Sequence, residues 1–341
     1  MARMNRTPLL LSLITLGLVL TGWSLVQSNQ AQWEAKTQGL VFPALKKSLG
    51  ELTELTLSAG GEKLTLMRGK NKQWVLPQKS NYPVDMGRFR ELLRQLSASR
   101  LLEQKTARAE NHAQLGLDQE HATHIRLLAG KTVVADALIG RLSERRQATY
   151  LRFASQDQTW TMDTPLSLQT KATFWVRQEV LDVAPDRIQR VTIQQGSQPA
   201  LHVERRSKNE PFQLIPAMKE TNDSITYQLS TTPRLFSHLM LTDVIPAADV
   251  LASSADVTRM ETFDGLVLSF RFNGEGELAT DRWVVVTATT TDGAAEPVTQ
   301  EAAAINARTE GWAYHFAPYL MTQLRLTHDV LKNYKGPLPV K

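Results

Sequence analysis

The sequence contains no cysteine among its 341 residues. This absence excludes disulfide bonds, thiolate nucleophiles, iron–sulfur clusters and every zinc site that uses cysteine. It also excludes a lipoprotein, because the lipid of such proteins is attached to a cysteine. The composition is compatible with an oxidising compartment, where a free thiol would be a liability.

Recognisable catalytic and phosphate-binding motifs are also missing. Gly60-Gly61 and the glycines of 274–276 lie between predicted strands, so they indicate turns and do not open a phosphate-binding helix. Neither a Gly-x-Ser-x-Gly elbow nor a Ser-x-x-Lys pair in a helix is present. Isolated carboxylates such as Asp118, Asp163 and Asp264 are expected to serve as turn or cap residues. We therefore predict no catalytic residue and no cofactor.

Histidine offers one pair close in sequence, His121 and His124, with Asp118 and Glu120 as acidic neighbours. A zinc site needs three or four ligands that converge on one point. A step of three residues at the edge of a strand sends the two side chains to opposite faces. The pair is therefore interpreted as a surface feature, and no metal-binding residue is predicted.

The charge pattern argues against nucleic acid. The formal net charge is +5, and basic residues cluster briefly at Arg145-Arg146 and Arg205-Arg206. No aromatic side chains alternate with these clusters to stack on bases, so they are interpreted as solvated faces. Hydrophobic residues make up 42% of the chain and charged residues 21%. These values are typical of a folded protein.

Long apolar runs are scarce, and the only one is residues 9–26, which contains no charge. At about 1.5 Å per residue a helix of this length spans roughly 27 Å, close to the thickness of a bilayer core. Arg3 and Arg6 precede it without an acidic residue. The positive-inside tendency then predicts that the N-terminus is cytoplasmic and that the rest of the chain is periplasmic. The protein is thus expected to cross a bacterial inner membrane once, with residues 9–26 in contact with the lipid bilayer.

The alternative interpretation of this segment is a cleaved signal peptide. Signal peptides usually have a shorter apolar region that ends in suitably spaced small residues. Residues 27–31 read QSNQA and lack a clear pair of this kind. We favour an uncleaved anchor.

After the anchor, short alternating apolar runs predict strands and one amphipathic helix. Leucines flanking Gly60-Gly61 predict a hairpin, and Trp74–Leu76 predicts a third strand. Apolar residues at helical spacing between Pro83 and Leu101 predict a helix. Four further strands are expected as an antiparallel meander, at 125–128, 133–139, 150–153 and 160–162.

The same order then restarts at Ile188. Residues 188–193, 200–203 and 212–214 resemble the first three strands, and residues 233–240 resemble the helix. Residues 266–272 and 283–288 resemble the meander, 312–316 the strand around Trp160, and 329–331 the ending at 179–181. The predicted fold class is therefore α+β, with an N-terminal transmembrane helix followed by two similar units of antiparallel sheet plus helix, an internal duplication.

These observations divide the chain into six predicted segments. They are a cytoplasmic N-terminus (1–8), a transmembrane helix (9–26), a juxtamembrane connector (27–47), a first α+β unit (48–184), a second α+β unit (185–334) and a C-terminal tail (335–341).

Five tryptophans fall in predicted strands or apolar segments, where core packing is the ordinary role. They are Trp74, Trp160, Trp175, Trp283 and Trp312. Exposed in a groove, the same residues would suit a sugar or a peptide. Residues 292–304 are rich in alanine and predict a mobile loop or a short weak helix.

A series of short motifs resembles the bacterial family known as domain of unknown function 4340. The motifs are Trp74–Leu76 followed by Pro83 and the leucine-rich helix, Leu115–Asp118, Ile139-Gly140, Tyr150–Arg152, Thr159-Trp160, Trp175–Arg177 and Val180-Leu181. The resemblance covers roughly residues 52–214 and implies one N-terminal anchoring helix. Some members of the family are encoded beside membrane subunits of ATP-binding-cassette exporters related to gliding-motility components. The resemblance therefore implies an accessory, non-enzymatic role in the bacterial envelope.

Three functions remain open from the sequence. The leading hypothesis is a non-catalytic accessory subunit that binds membrane subunits of an ABC-type transport system. The alternative is an envelope module that binds a glycan or peptide in a cleft between the two units. The third is an enzyme with an unfamiliar site, which requires ionisable groups that converge in a pocket.

Overall fold

The structure is a computed structural model that describes residues 39–143, 147–217, 223–250, 256–273 and 282–333. The predicted transmembrane helix at 9–26, the cytoplasmic residues 1–8 and the tail 335–341 lie outside these ranges, as does most of the connector. Among the described residues no helix is long and apolar enough to cross a membrane.

Contacts divide the chain into two compact units. The first comprises Met1–Val75 and Met86–Lys171, and the second comprises Leu76–Asp85 and Ala172–Lys341, in both cases as far as the structure describes them. The second unit thus begins earlier than the predicted residue 185. It also takes in a ten-residue segment from the first sequence repeat, because that segment and the residues after Lys171 pack with the later strands.

The described residues of the first unit form eight strands and two helices. The strands are β1 (Leu52–Ala59), β2 (Glu62–Arg68), β3 (Trp74–Leu76), β5 (Leu101–Gln104), β6 (Thr123–Ala129), β7 (Thr132–Leu142), β8 (Thr149–Phe153) and β9 (Thr159–Met162). The helices are α1 (Pro43–Ser48) and α2 (Met86–Ala98), and short 3₁₀ turns occur at Leu49–Glu51, Ala109–Asn111 and Ala113–Leu115.

The second unit contains the other strands and helices of the described residues. Its strands are β4 (Tyr82–Pro83), β10 (Glu179–Leu181), β11 (Ile188–Gln194), β12 (Leu201–Glu204), β13 (Gln213–Ile215), β14 (Leu239–Pro246), β15 (Val257–Thr262), β16 (Leu266–Asn273), β17 (Trp283–Thr290) and β18 (Trp312–Phe316). Its helices are α3 (Ala172–Trp175), α4 (Asp223–Thr231), α5 (Glu296–Thr309), α6 (Pro318–Gln323) and α7 (His328–Lys332).

The two antiparallel sheets share one strand order. Within the first unit the strand order is β3-β2-β1-β6-β7-β8-β9-β5, and the sheet of the second unit, taken from its far end, runs β13-β12-β11-β15-β16-β17-β18-β14-β10. Every strand of the first order has a counterpart at the same place in the second, which adds β10 at one edge. The predicted α+β class and the repeated order of strands are therefore both present.

The repeat extends to details of register. The pairing of β1 with β6 shifts between Leu52 and Glu54, and the pairing of β11 with β15 shifts between Ile188 and Arg190. The buried positions of β1 and β11 also follow the same pattern, and the inward-facing side chains form the core.

Helix α2 covers the first unit's sheet as its sequence pattern predicts. Phe89, Leu92 and Leu96 are buried at spacings of three and four residues, which is the period of an amphipathic helix. The indole of Trp74 packs against the ring of Phe89 with their centroids 4.4 Å apart.

Two details of the predicted repeat are wrong. Residues 233–240 are not one helix, because α4 ends at Thr231, a 3₁₀ turn follows at Thr232–Phe236, and Leu239 already starts β14. The endings do not correspond either, since 179–181 is a strand paired with β14 whereas 329–331 lies in α7.

Residues 292–304 were predicted to be a mobile loop or a short weak helix. They contribute most of α5, a regular helix of 14 residues that buries Val298, Ala302 and Ile305.

Candidate functional site

The first unit contains a surface cleft of about 490 Å³ at one end of β6 and β7. Residues of three chain segments line it: the loop before β6 together with the first residue of that strand (Ala113, Gly116, His121 and Thr123), the end of β7 (Ile139, Gly140, Arg141 and Leu142), and the segment after β9 (Leu166, Ser167 and Leu168). Both apolar and polar groups therefore face the same space.

One wall of the cleft is a loop seated directly on the backbone of β7. A Cβ atom built at Gly140 would lie 2.4 Å from the carbonyl oxygen of Leu115 and 2.9 Å from Cγ of Leu117. Gly116 turns the loop with a φ of 66°, a left-handed conformation that favours glycine. Leu117 is fully buried, which anchors the loop. Glycine at 140 is thus required by the close approach of two backbone segments.

The cleft carries two side chains that can be cationic. Nδ1 of His121 lies 2.9 Å from the Asp118 carboxylate. The hydrogen bond that His121 donates to the Asp118 carboxylate raises the pKa of His121 and lowers the pKa of Asp118. Arg141 is exposed at the end of β7, and among the described residues its guanidinium has no hydrogen bond or ion pair. Ser167 adds a hydroxyl to the lining.

Asp118, Glu120 and His121 also bring three potential ligand atoms within 4.8 Å of one another. Glu120 and His121 are exposed and Asp118 is half-buried. Exposed acidic groups of this kind are common without a metal ion. We therefore do not assign a metal site to this cluster.

The structure separates the two histidines that are close in sequence. His121 interacts with Asp118, whereas Nε2 of His124, on β6, lies 2.6 Å from the carboxylate of Asp136 on β7. The two imidazoles thus have different partners.

The other carboxylates considered from the sequence have structural partners. Asp163 accepts a hydrogen bond from the backbone N–H of Arg100, and Asp264 accepts one from Nε of Arg187. Arg187 also donates to both oxygens of Glu301, so it joins the start of β11, the β15–β16 turn and α5. These roles are those of turn and packing residues.

The five tryptophans pack inside the fold and do not line an exposed groove. Trp160 and Trp175 are buried, while Trp74, Trp283 and Trp312 are half-buried. Each half-buried indole packs against another ring, namely Phe89, His315 and Tyr82 respectively.

Sequence reasoning predicted no site and so did not find the cleft. One signal was available, since Gly140 interrupts an apolar strand and such a glycine often marks a close backbone approach. The sequence cannot identify the approaching segment, because that information depends on the tertiary fold.

A family model described as Domain of unknown function (DUF4340) matches residues 74–257, more than half of the chain. The matched region includes the cleft, and two motifs that carry the resemblance, Leu115–Asp118 and Ile139-Gly140, are the segments that meet in its wall. No curated protein and no solved structure matches the chain.

Proposed function

The chain belongs to the DUF4340 family, and we propose that it acts there as a single-pass inner-membrane protein whose periplasmic region is a non-catalytic, partner-binding subunit of an ABC-type transport system. The observation that carries this proposal is the charge-free apolar segment at residues 9–26, preceded by Arg3 and Arg6. A segment of this length and flanking charge suits one crossing with the bulk outside the cytoplasm.

The repeated sheets support a binding role. An antiparallel sheet packs one face on its core and leaves the other available to solvent or to a partner. In the second unit, neighbouring strands align Thr192, Arg259, Ser269 and Thr287 in one row across the outer face. In the first unit, Thr56, Arg126 and Asp136 form the corresponding row. Broad, mostly polar faces of this kind suit contact with another protein.

Partner binding is tested by affinity purification from gently solubilised membranes, followed by mass spectrometry. The full-length protein is compared with a variant in which 9–26 is replaced by an unrelated transmembrane helix of equal length, and with a form lacking residues 1–27. We expect permease or nucleotide-binding subunits of a transporter to copurify with the full-length protein and not with the truncated form. If the variant with the replaced transmembrane helix still recovers these subunits, the contact lies in the periplasmic units. Absence of such subunits from all three samples contradicts the proposal.

Membrane topology has a direct test because the chain has no cysteine. Lys70→Cys places a single thiol in the exposed turn between β2 and β3. We expect a membrane-impermeant maleimide to label it in spheroplasts, whereas Met4→Cys reacts only after lysis. The reverse pattern contradicts the orientation. An intact mass that includes residues 1–31 distinguishes an uncleaved anchor from a removed signal peptide.

A ligand-binding module of the envelope is the second candidate function, favoured by the cleft in the first unit. Its volume of about 490 Å³ falls within the range of small-molecule sites, about 300–1,000 Å³.

A further inference from the structure

The strand registers give the cleft a counterpart in the second unit. Ile125 pairs with Leu57 and Ala137, as Thr258 pairs with Ile193 and Phe270. Counting along the matched strands from these pairs, Thr123 corresponds to Asp256, and Gly140 corresponds to Asn273. The same end of the sheet can therefore be compared position by position.

In the second unit this end is closed by an internal ion pair. The Arg325 guanidinium donates to the Asp256 carboxylate at 2.9 Å, with only 13% and 10% of the two side chains exposed. The other oxygen of Asp256 accepts the N–H of Gly196 at 2.8 Å. Thr258 donates to the carbonyl oxygen of Leu324, which ties the segment after α6 to the sheet. Carboxylate and guanidinium thus form a charge-assisted hydrogen bond within the fold.

In the first unit the corresponding positions carry small groups. Asp256 is replaced by Thr123 and Asn273 by Gly140, and the segment after β9 presents Ser167. All three residues line the cleft. At this end of the first unit Thr123 offers no carboxylate where the second unit has Asp256, and the loop at Leu115–Leu117 packs over Gly140. Arg141 stands beside the cleft with no carboxylate partner among the described residues.

We propose that this cleft binds the carboxylate end of an amphipathic ligand, with the anion on Arg141 and Ser167 and the apolar part against Ile139, Leu142 and Leu166. The ligand supplies the carboxylate that Asp256 supplies in the second unit. A guanidinium binds a carboxylate through two parallel hydrogen bonds, which gives both affinity and orientation. The negative groups nearby do not occupy this position, since neither Asp118 nor Glu120 lines the cleft and Asp118 is engaged by His121. This inference deepens the second candidate function and does not depend on the transporter proposal.

The probe is 4-phenylbutanoate, and its neutral amide is the matched control ligand. Binding to the full-length protein in lipid nanodiscs is measured by calorimetry, with empty nanodiscs subtracted. We expect the acid to bind at least about ten-fold more tightly than the amide, the factor that corresponds to one charge-assisted hydrogen bond. Equal affinities, or no binding of the acid, overturn the inference.

Three variants locate the site. Arg141→Gln is expected to reduce the affinity for the acid about ten-fold or more and to leave the amide unchanged. Arg90→Gln, the same substitution at an exposed position of α2, is expected to change neither. Thr123→Asp supplies an internal carboxylate, as in the second unit, and is expected to abolish binding of the acid. If Arg141→Gln and Arg90→Gln behave alike, the assignment to this cleft is wrong. Circular dichroism checks that all three variants are folded.

The same assay distinguishes two sources of the ligand. N-acetyl-Leu-Leu presents a peptide C-terminus, and its C-terminal amide is the control. If the dipeptide acid displaces 4-phenylbutanoate and its amide does not, the cleft binds the C-terminus of a peptide. Displacement by neither, while the Arg141→Gln effect persists, assigns it to small free acids. Both results support the proposed carboxylate chemistry.

Discussion

The carbonyl oxygen of Leu115 lies 2.4 Å from the point where a Cβ atom at position 140 would be. Two motifs separated by more than twenty residues are therefore held in direct backbone contact, and this contact forms a wall of the cleft. The contact also predicts that the stability of the fold depends on glycine at position 140.

Gly140→Ala is expected to lower the free energy of unfolding by about 3 kcal/mol, because the backbone of the loop must move to admit one methyl group. Urea unfolding followed by tryptophan fluorescence measures the change. Gly50→Ala is the matched control, since nothing lies within 4 Å of its Cβ position and its φ is not left-handed; its effect should stay within about 0.5 kcal/mol. Similar stabilities of the two variants would show that the loop is not seated on β7.

The ion pair of Asp256 and Arg325 gives a second prediction about stability. Arg325→Met leaves a nearly buried carboxylate without its cation, which is expected to cost about 3–5 kcal/mol. Arg259→Gln removes a surface partner of Glu261 and should cost less than about 1 kcal/mol. The double variant Asp256→Asn with Arg325→Met should lose less than the sum of the two single variants, and strict additivity would contradict the pairing.

The His121–Asp118 pair predicts a defined dependence on pH. The raised pKa of His121 means that its stabilising contribution is complete below its ordinary pKa of about 6.5 and is lost as the pH rises through the folded value. The lowered pKa of Asp118 means that its contribution is complete above about 3.9 and is lost as the pH falls. The pair is therefore most stabilising between about pH 4 and 6.5.

Asp118→Asn tests this pair. The substitution is expected to lower the pKa of His121 in an NMR titration of the imidazole carbons. His328 serves as the internal control, because its Nε2 faces the carbonyl oxygen of Ala200 and not a carboxylate. An unchanged pKa of His121 would show that the hydrogen bond does not form in solution.

Tyr82 fixes the segment Leu76–Asp85 in the second unit. Its ring packs edge-on against Trp312 with the centroids 4.8 Å apart, and its hydroxyl is hydrogen-bonded to that of Tyr314. Tyr82→Ala should destabilise this unit by about 3–5 kcal/mol and speed deuterium exchange at the Asp85 N–H, which donates to the carbonyl oxygen of Trp175. Tyr319→Ala, at a position 66% exposed, is the control and should affect neither measurement.

Local patterns predicted much of the fold. The hairpin at Gly60-Gly61, the strand at Trp74 and helix α2 all depend on neighbouring residues, and each was found where the sequence indicates it. The repeat was visible because matched strands keep the same buried positions. Helix α5 was predicted only as a mobile loop or a short weak helix, because its buried face includes Ala302 and Thr309 and so carries little hydrophobic signal.

The remaining features depend on distant partners. Strand β10 pairs with β14, some sixty residues away, so its alternation alone could not assign it to the second unit. The cleft likewise depends on two positions of the sheet: Thr123 stands where the other unit has Asp256, and Gly140, where the other unit has Asn273, lets the loop at Leu115–Leu117 pack on β7. These correspondences become visible only when the registers of both sheets are known.

The segment Leu76–Asp85 sets an order of events during synthesis. It leaves the ribosome more than two hundred residues before Trp312 and Tyr314, against which Tyr82 packs. Domains usually fold as units while the chain is being made, yet this piece of the first repeat must wait until the last strand of the second has emerged. A nascent chain that stops at Lys171 therefore lacks Val176 and Trp312, the partners of Val84 and Tyr82. Folding of the second unit is completed by residues made long before it.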